Sequence, residues 1–264
     1  MRTSFFTMHR KIVLTVVLAA FFIGSLFSVQ WNKELLHAGG GTYVLQILKG
    51  LITPDLSKDV LLTSIDAAWI TISYAVAGMS LAIIIAFVFG TLASGVIFPT
   101  AKASILLKTF FRGLLGFMRA IHELVWAWLF VASFGLHPIS AILALAIPYG
   151  GILGRIFADF LNDVPEAPIK ALLSSGATKL QSLFYGYLPM VTKHITSYTM
   201  YRFECSIRSS AIMSFVGIGG LGYQIQLSLD DLNYNQVWTY VYFLIAIVVL
   251  IDWWSSSLRG RLGE

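Results

Sequence analysis

Long stretches of the chain carry no Asp, Glu, Lys or Arg, and they limit the possible folds more than any other feature. They include residues 67–101, 124–154, 209–229 and 232–251. A helix needs about 20 mostly apolar residues to cross about 30 Å of hydrocarbon. Each stretch is long enough for a membrane-spanning helix, which argues against a soluble globular domain.

Composition favours the same class. Hydrophobic residues make up 57% of the chain and charged residues 12%, whereas soluble proteins average about 45–50% and about 25%. The net charge of +5 comes from basic residues clustered between apolar runs, a pattern typical of membrane topology and not of nucleic-acid binding. Cys205 is the single cysteine, so an intrachain disulfide and a cysteine metal site are excluded.

The apolar runs predict an all-α, polytopic integral membrane protein with six transmembrane helices. The stretch 124–154 is too long for one helix, and Gly135 and Pro138 favour a turn inside it. A further span is predicted where the chain carries charges, after Lys193. The six predicted spans are 12–28, 67–95, 114–134, 138–155, 190–216 and 236–254.

The distribution of Lys and Arg predicts the orientation of these spans. Of the 18 basic residues, 13 lie on the side of the N-terminus, three lie on the other side, and two lie inside a span. Cytoplasmic loops carry the excess of Lys and Arg. Both termini are therefore predicted to be cytoplasmic.

Three regions follow from this topology. Residues 1–30 are predicted to be an N-terminal anchor helix; a cleaved signal peptide is the alternative, but no cleavage signal follows Ser28. Residues 31–66 form an extracytoplasmic segment with predicted turns at Gly39–Gly41 and Thr53–Asp55. Residues 67–258 form the membrane core.

The cytoplasmic segment 155–189 contains charges but keeps a helical apolar pattern. Its apolar residues at three- and four-residue spacings are Leu172, Leu173, Leu180, Leu183, Phe184 and Leu188. Gly176 interrupts the pattern and Pro189 ends it. The pattern predicts two short helices joined at a glycine turn. They are either an amphipathic loop resting on lipid or a docking element for a cytoplasmic partner.

The fifth predicted span contains Arg202, Glu204 and Arg208. Charged groups within a membrane are costly, and they usually face a cavity or one another. Glu204 and Arg208 are four residues apart and can pair. Arg202 is predicted near the middle of the bilayer, about 13 Å beyond Lys193 at ~1.5 Å per residue. Its candidate partners are Glu123, a backbone carbonyl, a second copy of the chain or a substrate.

A glycine-rich segment follows the fifth span. Gly217, Gly219 and Gly222 have the spacing of a dinucleotide-binding loop, but that loop requires a preceding strand. Together with Gly220 they predict a turn on the outer side, between the last two spans, which is either flexible or closely packed.

Neither metal nor nucleotide binding is expected on this chain. His122 and Glu123 begin a zinc-protease pattern, but its second histidine is replaced by Trp126. The chain also has no phosphate-binding loop of the G-x-x-x-x-G-K-[ST] type. If ATP drives this protein, the nucleotide binds to another polypeptide.

The glycine turn at residue 176 carries a resemblance to a known family. Gly176-Ala177 and, thirteen residues after Gly176, Pro189 resemble the coupling loop of ABC importer permeases, which in that family forms a helix seated in a groove of the ATPase subunit. Ala171 matches the family pattern. Lys170 stands where the family usually has Glu, and Glu166, one turn upstream, is a candidate substitute.

Further motifs resemble the phosphonate-type subfamily of these permeases, over about residues 60 to 260. They are Arg119–Leu124, Leu129–Val131 with Gly135, Tyr185–Pro189, Tyr201–Glu204, Arg208–Ser209 and Gly217–Gly222. The resemblance implies the permease subunit of an ATP-driven importer for phosphonate, phosphite or phosphate, with a type I permease fold and without catalytic chemistry of its own.

The resemblance also implies the partners. They are a second copy of the chain, two ATP-binding subunits that hold ATP and Mg, an extracytoplasmic substrate-binding protein and the bilayer of a bacterial cell (inner) membrane. Arg202, Glu204, Arg208 and Glu123 are predicted either along the substrate pathway or as structural ion pairs that hold helices together, and Gly217–Gly222 as part of an outer gate or as a close-packed loop. The alternative is an ion-coupled secondary transporter that uses Glu204 and Glu123.

Overall fold

The structure is a computed structural model that describes residues 10–28, 40–98 and 101–263. These residues form helices joined by short turns, with no strand among them. The helices are α1 (Arg10–Ser28), α2 (Gly40–Ile52), α3 (Lys58–Ser94), α4 (Ala101–Ala120), α5 (Glu123–Phe134), α6 (Pro138–Asn162), α7 (Glu166–Ser174), α8 (Lys179–Ser182), α9 (Leu188–Met213), α10 (Leu221–Asp230) and α11 (Tyr234–Gly263). The predicted all-α class is confirmed.

Four helices in the described part of the chain, α1, α3, α6 and α11, are long and apolar enough to cross a membrane. Two further candidates are bent pairs. The axis turns by 85° between α4 and α5, and by 42° between the helical stretch 179–216 and α10. If each bent pair counts as one span, the number is six, as predicted. The predicted span 114–134 is corrected, because it is broken at residues 121–122.

The chain divides into two compact units, residues 1–46 and 47–264. In the first unit α1 coincides with the predicted span 12–28, and most of its side chains are exposed. Gly40 and Gly41 belong to α2, so the turn predicted there is wrong; Gly39 lies outside the described residues. The anchoring role of the first helix stays a prediction.

The core of the second unit is built on the pairing of α3 with α6. Small residues let the two backbones approach closely. A Cβ atom on Gly90 would lie 2.8 Å from the carbonyl oxygen of Gly154, and one on Gly78 would lie 2.8 Å from Cβ of Leu145. Residue numbers at these contacts rise together along both helices, so α3 and α6 run in the same direction.

The turn between α2 and α3 is held by α11. The hydroxyl of Thr239 donates to the carbonyl oxygen of Asp55 over 2.8 Å, and the indole of Trp238 donates to that of Ile47 over 2.7 Å. The backbone N–H of Ser57 donates to the Asp55 carboxylate, which lowers the pKa of that carboxyl group. The predicted turn at Thr53–Asp55 is confirmed, since α2 ends at Ile52 and α3 begins only at Lys58.

Two predicted boundaries shift because helices extend beyond their uncharged runs. α3 begins at Lys58, so part of the segment 31–66 is helical. α6 continues to Asn162, so the first residues of the predicted loop 155–189 belong to a helix. The charges there are paired: Asp159 accepts hydrogen bonds from Arg112 over 2.8 Å and from Arg155 over 3.1 Å. The pairing removes the electrostatic reason for the helix to end at the first charge.

Candidate functional site

One face of α9 gathers polar side chains in the interior of the second unit. Tyr198, Arg202, Cys205 and Ser209 recur at spacings of four, three and four residues, so they lie above one another on the helix. Ile195 and Met213 extend the same face and pack against the main apolar cluster. The polar groups therefore form a patch within an apolar surface.

A chain of hydroxyl groups leads from α6 across α9 to α5. The Ser209 hydroxyl donates to Oε1 of Glu123 over 2.6 Å, and the Tyr149 hydroxyl lies 3.0 Å from Oγ of Ser209. Nε2 of His122 lies 3.7 Å from Oε2 of Glu123. Glu123 occupies the first turn of α5, immediately after the bend that follows α4. The bend thus carries a carboxylate to the C-terminal part of α9.

Arg202 is held by aromatic side chains of its own helix. Its Nε and Nη2 atoms donate to the hydroxyl oxygen of Tyr198 over 2.8 and 2.6 Å. Its guanidinium also lies 5.1 Å from the ring centre of Tyr198 and 5.3 Å from that of Tyr201. Within the described residues no carboxylate lies within 4.0 Å of this guanidinium. Arg202 therefore keeps a positive charge that no described acid neutralises.

Arg208 is the second cation of this region. Its side chain is exposed, and Nη2 lies 3.7 Å from Sγ of Cys205. The ion pairs formed by the described residues do not include it. Tyr149 is within electrostatic range of Arg202, Cys205 and Glu123, and Arg208 joins this group through its contact with Cys205. The hydroxyl chain, one carboxylate and the two guanidinium groups form one cluster, which we call the α9 polar cluster.

Glu204 does not pair with Arg208, and this prediction is corrected. The Glu204 carboxylate is buried and accepts a short hydrogen bond from Arg259 on α11, which also donates to Ser255 over 3.1 Å. Arg259 is 25 residues after the start of α11, about 37 Å along its axis at ~1.5 Å per residue. This part of α9 therefore lies beside the C-terminal end of α11 and not beside its middle, while the mid-bilayer position of Arg202 stays a prediction.

The glycine segment is buried in the bundle and does not form the connection between the last two spans. Tyr74 on α3 donates to the carbonyl oxygen of Ile218 over 3.0 Å, and the N–H of Leu221 donates to the Thr71 hydroxyl over 3.0 Å. Thr71 is about 20 Å along α3 from its first residue at ~1.5 Å per residue. The segment bends a broken span, and residues 231–233 connect α10 to α11.

The packing of this segment is close on one side and open on the other. Gly217, Gly219 and Gly220 all have positive φ values. A Cβ atom on Gly222 would overlap the carbonyl oxygen of Ala211, and one on Gly220 would lie 2.8 Å from Oγ of Ser214, whereas space is open at Gly219. Of the two alternatives from the sequence, close packing describes Gly220 and Gly222.

The predicted coupling segment forms a compact hairpin of α7, α8 and the π-helical turn Leu183–Tyr187. Gly176 has φ +89° and ends the α7 side, as predicted. Pro189 lies in the first turn of α9, so it begins that helix. Leu183 and Ile169 are buried within the hairpin. A Cβ atom on Gly186 would lie 2.7 Å from Cδ1 of Ile169. The hairpin is therefore packed rigidly against itself.

The solvent-exposed surface of this hairpin carries both polar and apolar side chains. The Lys170 ammonium lies 2.5 Å from Oε2 of Glu166, which lowers the pKa of Glu166 and raises that of Lys170. The exposed large apolar side chains are Leu180, Phe184 and Tyr185, while Ala171 is exposed and Ala177 half-buried. Such a surface on a connecting segment is typical of an interaction site.

Four residues of these arrangements were not predicted as site residues from the sequence, although Ser209 belongs to one of the motifs that resemble the family. Tyr149 and Ser209 lie in or beside long apolar runs, where no spacing rule singles them out. Arg259 was counted only as a basic residue after the last span. Tyr198 carries the one usable signal, since it precedes Arg202 by four residues on the same helix face.

The chain is similar to permease proteins of transport systems over much of its length. It is 31% identical over 247 residues to the putative phosphite transport system permease protein HtxC of Stutzerimonas stutzeri, covering 89% of this chain and 83% of that protein. It is 36% identical over 148 residues to the phosphite transport system permease protein PtxC of the same species. The second match covers 56% of this chain and about half, 54%, of PtxC.

Solved structures have the same fold at low sequence identity. The methionine ABC transporter MetNI, in an inward-facing conformation, contains a chain that matches 78% of this chain and 99% of its own length, with a TM-score of 0.68 and 18% identity. A bacterial ABC transporter involved in alginate import matches 98% of this chain and 100% of its own, with a TM-score of 0.59 and 14% identity. The predicted ABC importer permease fold is confirmed.

A family model describes most of the second unit. Residues 95–263 match the model of the binding-protein-dependent transport system inner membrane component. This match covers the bent pair α4–α5, the hairpin of α7 and α8, and α9 with its polar side chains. It does not support the alternative of an ion-coupled secondary transporter. The chain therefore belongs to the family of inner membrane components of binding-protein-dependent transport systems.

Proposed function

We propose that this chain is the membrane permease subunit of an ATP-driven importer for phosphorus oxyanions, namely phosphonate, phosphite or phosphate. The observation that carries the proposal is Arg202, a guanidinium inside the helical bundle with no carboxylate partner among the described residues. Guanidinium binds phosphorus oxyanions through two parallel hydrogen bonds. The names of PtxC and HtxC, both phosphite permeases, support this class of substrate.

The α9 polar cluster is the proposed substrate pathway. Arg202 and Arg208 attract the anion, while Tyr198 and Tyr201 keep the Arg202 side chain extended over their rings. Transport requires release, so transient binding is expected here and not a tight site. Glu204 supports the pathway indirectly, because its bond to Arg259 ties α9 to α11.

The coupling hairpin is the proposed docking element for the ATPase subunit. Glu166, Lys170, Ala171, Gly176 and Ala177 belong to it or flank its turn, and the exposed Leu180, Phe184 and Tyr185 supply apolar contact area. Pro189 starts α9 immediately after the hairpin. A displacement of the hairpin therefore reaches the α9 polar cluster through a single continuous helix.

The proposed assembly has two copies of this chain, two ATPase subunits and an extracytoplasmic binding protein. ATP and Mg bind to the ATPase subunits. The chain crosses the bacterial inner membrane several times, with both termini in the cytoplasm. Transport proceeds by alternating access, and the bend at Gly217–Gly222 acts as the hinge of the outer gate. The positive φ values and the open space at Gly219 support that role.

Co-purification and reconstitution test this function. The tagged chain is purified with its partners, reconstituted into proteoliposomes and supplied with binding protein and labelled phosphite, phosphate or a phosphonate. We expect an ATPase subunit in the complex and uptake that stops when ATP is removed. Uptake that continues without ATP, or a complex without an ATPase subunit, would contradict the proposal.

A further inference from the structure

The α9 polar cluster contains an acid where an anion is proposed to pass. The Glu123 side chain is only 18% exposed and belongs to the same cluster as Arg202. A carboxylate repels every anion by charge alone, and such like-charge contacts cost several kcal/mol at interfaces. The presence of Glu123 is not explained by an ion pair with either arginine, because no described carboxylate lies within 4.0 Å of Arg202 or Arg208.

The hydroxyl groups around Glu123 all direct their protons towards it. Ser209 has one hydroxyl proton and donates it to Oε1 of Glu123. Oγ of Ser209 can then only accept, so Tyr149 is the donor in the 3.0 Å contact between the two hydroxyl oxygens. The second oxygen, Oε2, lies 3.7 Å from Nε2 of His122, beyond hydrogen-bond distance. Glu123 is therefore a fixed acceptor with one oxygen available to a ligand.

Glu123 and the Arg202 guanidinium both lie within electrostatic range of Tyr149, and an acceptor and a cation in one cluster can together distinguish anions by their protons. The second pKa of a phosphate monoester is about 6, so near neutral pH part of such a ligand carries a P–OH group. A protonated oxyanion can accept from guanidinium and donate its P–OH to a carboxylate. Sulfate has no proton to donate under these conditions and meets only repulsion from the carboxylate.

We propose that Glu123 is a specificity-determining residue, whose carboxylate accepts a hydrogen bond from the P–OH of a protonated phosphorus oxyanion and excludes fully deprotonated anions such as sulfate. This inference rests on the proposed function. It assigns Arg202 and Arg208 to charge attraction and Glu123 to selection. Ser209 and Tyr149 are positioning residues that hold one carboxylate oxygen so that the other faces the ligand.

Anion competition tests the selection directly. The purified complex of this chain with its ATPase subunits is placed in nanodiscs without binding protein, so that selection by another protein does not enter. Binding of labelled phosphate is measured by equilibrium dialysis with increasing sulfate as competitor. We expect Glu123→Gln to improve sulfate competition at least about tenfold, since an amide can donate to a deprotonated anion. Glu123→Asp keeps the charge and should exclude sulfate as the unmodified complex does.

A second measurement needs no variant. Phosphite affinity of the unmodified complex should fall as rising pH removes the one P–OH proton of the phosphite monoanion, and the midpoint should shift when methylphosphonate, which also loses its last P–OH proton at the second ionisation, replaces phosphite. The titratable or charged groups around Glu123 are His122 beside it and Tyr149 on α6, with Arg202 and Cys205 on α9 within electrostatic range of Tyr149 and Arg208 in contact with Cys205. A fall caused by any of these protein groups would have the same midpoint for both ligands.

The possible results separate this inference from the proposed function. If phosphate binds, but Glu123→Gln leaves sulfate competition unchanged or the pH midpoint is the same for both ligands, the selection by Glu123 is wrong and the oxyanion pathway stands. If the unmodified complex binds none of phosphate, phosphite and methylphosphonate, both the pathway and the inference are contradicted.

Discussion

The carboxylate of Glu204 on α9 accepts a hydrogen bond from the guanidinium of Arg259, which lies 55 positions later on α11. The carboxylate is 8% exposed and the guanidinium side chain 25%. An ion pair at this depth is stable only while both partners are present, because an unpaired buried charge is costly. The pair therefore holds α9 and α11 together near the polar residues of α9.

Glu204→Gln should lower the stability of the chain. The change leaves Arg259 partly buried without its charge partner, and the expected loss is about 3 kcal/mol, at the lower end for buried pairs because Arg259 keeps some solvent access. The melting temperature in detergent measures the effect. The double variant Glu204→Leu with Arg259→Leu should recover most of the loss. A melting temperature unchanged by Glu204→Gln would contradict the role of the pair.

Arg202→Ala should reduce uptake without preventing assembly. A hydrogen bond to a charged group contributes about 1.5–3 kcal/mol, and each ~1.4 kcal/mol is a factor of ten, so uptake should fall at least about tenfold. The proteoliposome assay measures uptake, and size-exclusion chromatography measures assembly. Tyr198→Phe removes only the hydroxyl contact and should keep most of the uptake. Normal uptake by Arg202→Ala would remove this residue from the pathway.

Two glycines of the bend should respond differently to alanine. Gly222→Ala places a methyl group into the backbone carbonyl of Ala211, which cannot move aside, so little folded protein is expected. Gly219→Ala meets open space but keeps φ +92°, and this strain costs about 1–2 kcal/mol. The yield of monodisperse protein and the melting temperature distinguish the two variants. Equal effects of both changes would show that the packing at Gly222 is not decisive.

Gly186→Ala should separate substrate binding from ATP hydrolysis. The added methyl group presses on the ends of the side chains of Ile169 and Leu172, so these side chains must shift and the packing between α7 and the π-helical turn is disturbed. We expect ligand-stimulated ATP hydrolysis to fall severalfold, while phosphate binding to the complex stays the same. Gly116→Ala on α4 meets no neighbouring atom and serves as the matched control. Full stimulation in Gly186→Ala would contradict transmission through this contact.

Much of the fold could be predicted because its signals are local. The run from 138 is apolar and preceded by Gly135, which has φ +74° and ends α5. Gly176 ends α7 for the same conformational reason. For the candidate site, the sequence could show only which residues are unusual, since a charged residue stands out in any apolar segment.

Their partners were not predictable in the same way. Glu204 has Arg208 one turn away, but the helix directs it towards Arg259 on α11. The glycine segment looks like an external turn in the sequence, but Thr71 and Tyr74 hold it within the bundle. Contacts between residues so far apart along the chain depend on which helix faces which, and no local spacing records that.

The amino-acid sequence by itself determined that this chain crosses a membrane several times, carries a helical hairpin with its turn at Gly176 and keeps arginines on α9, because hydropathy, turn chemistry and charge are properties of neighbouring residues. Only the tertiary structure decided that Glu123 meets Ser209 and Tyr149, that Glu204 ties α9 to α11, and that Arg202 has no described carboxylate beside it. The physical reason is that a side chain's electrostatic surroundings are set by the helices packed against it.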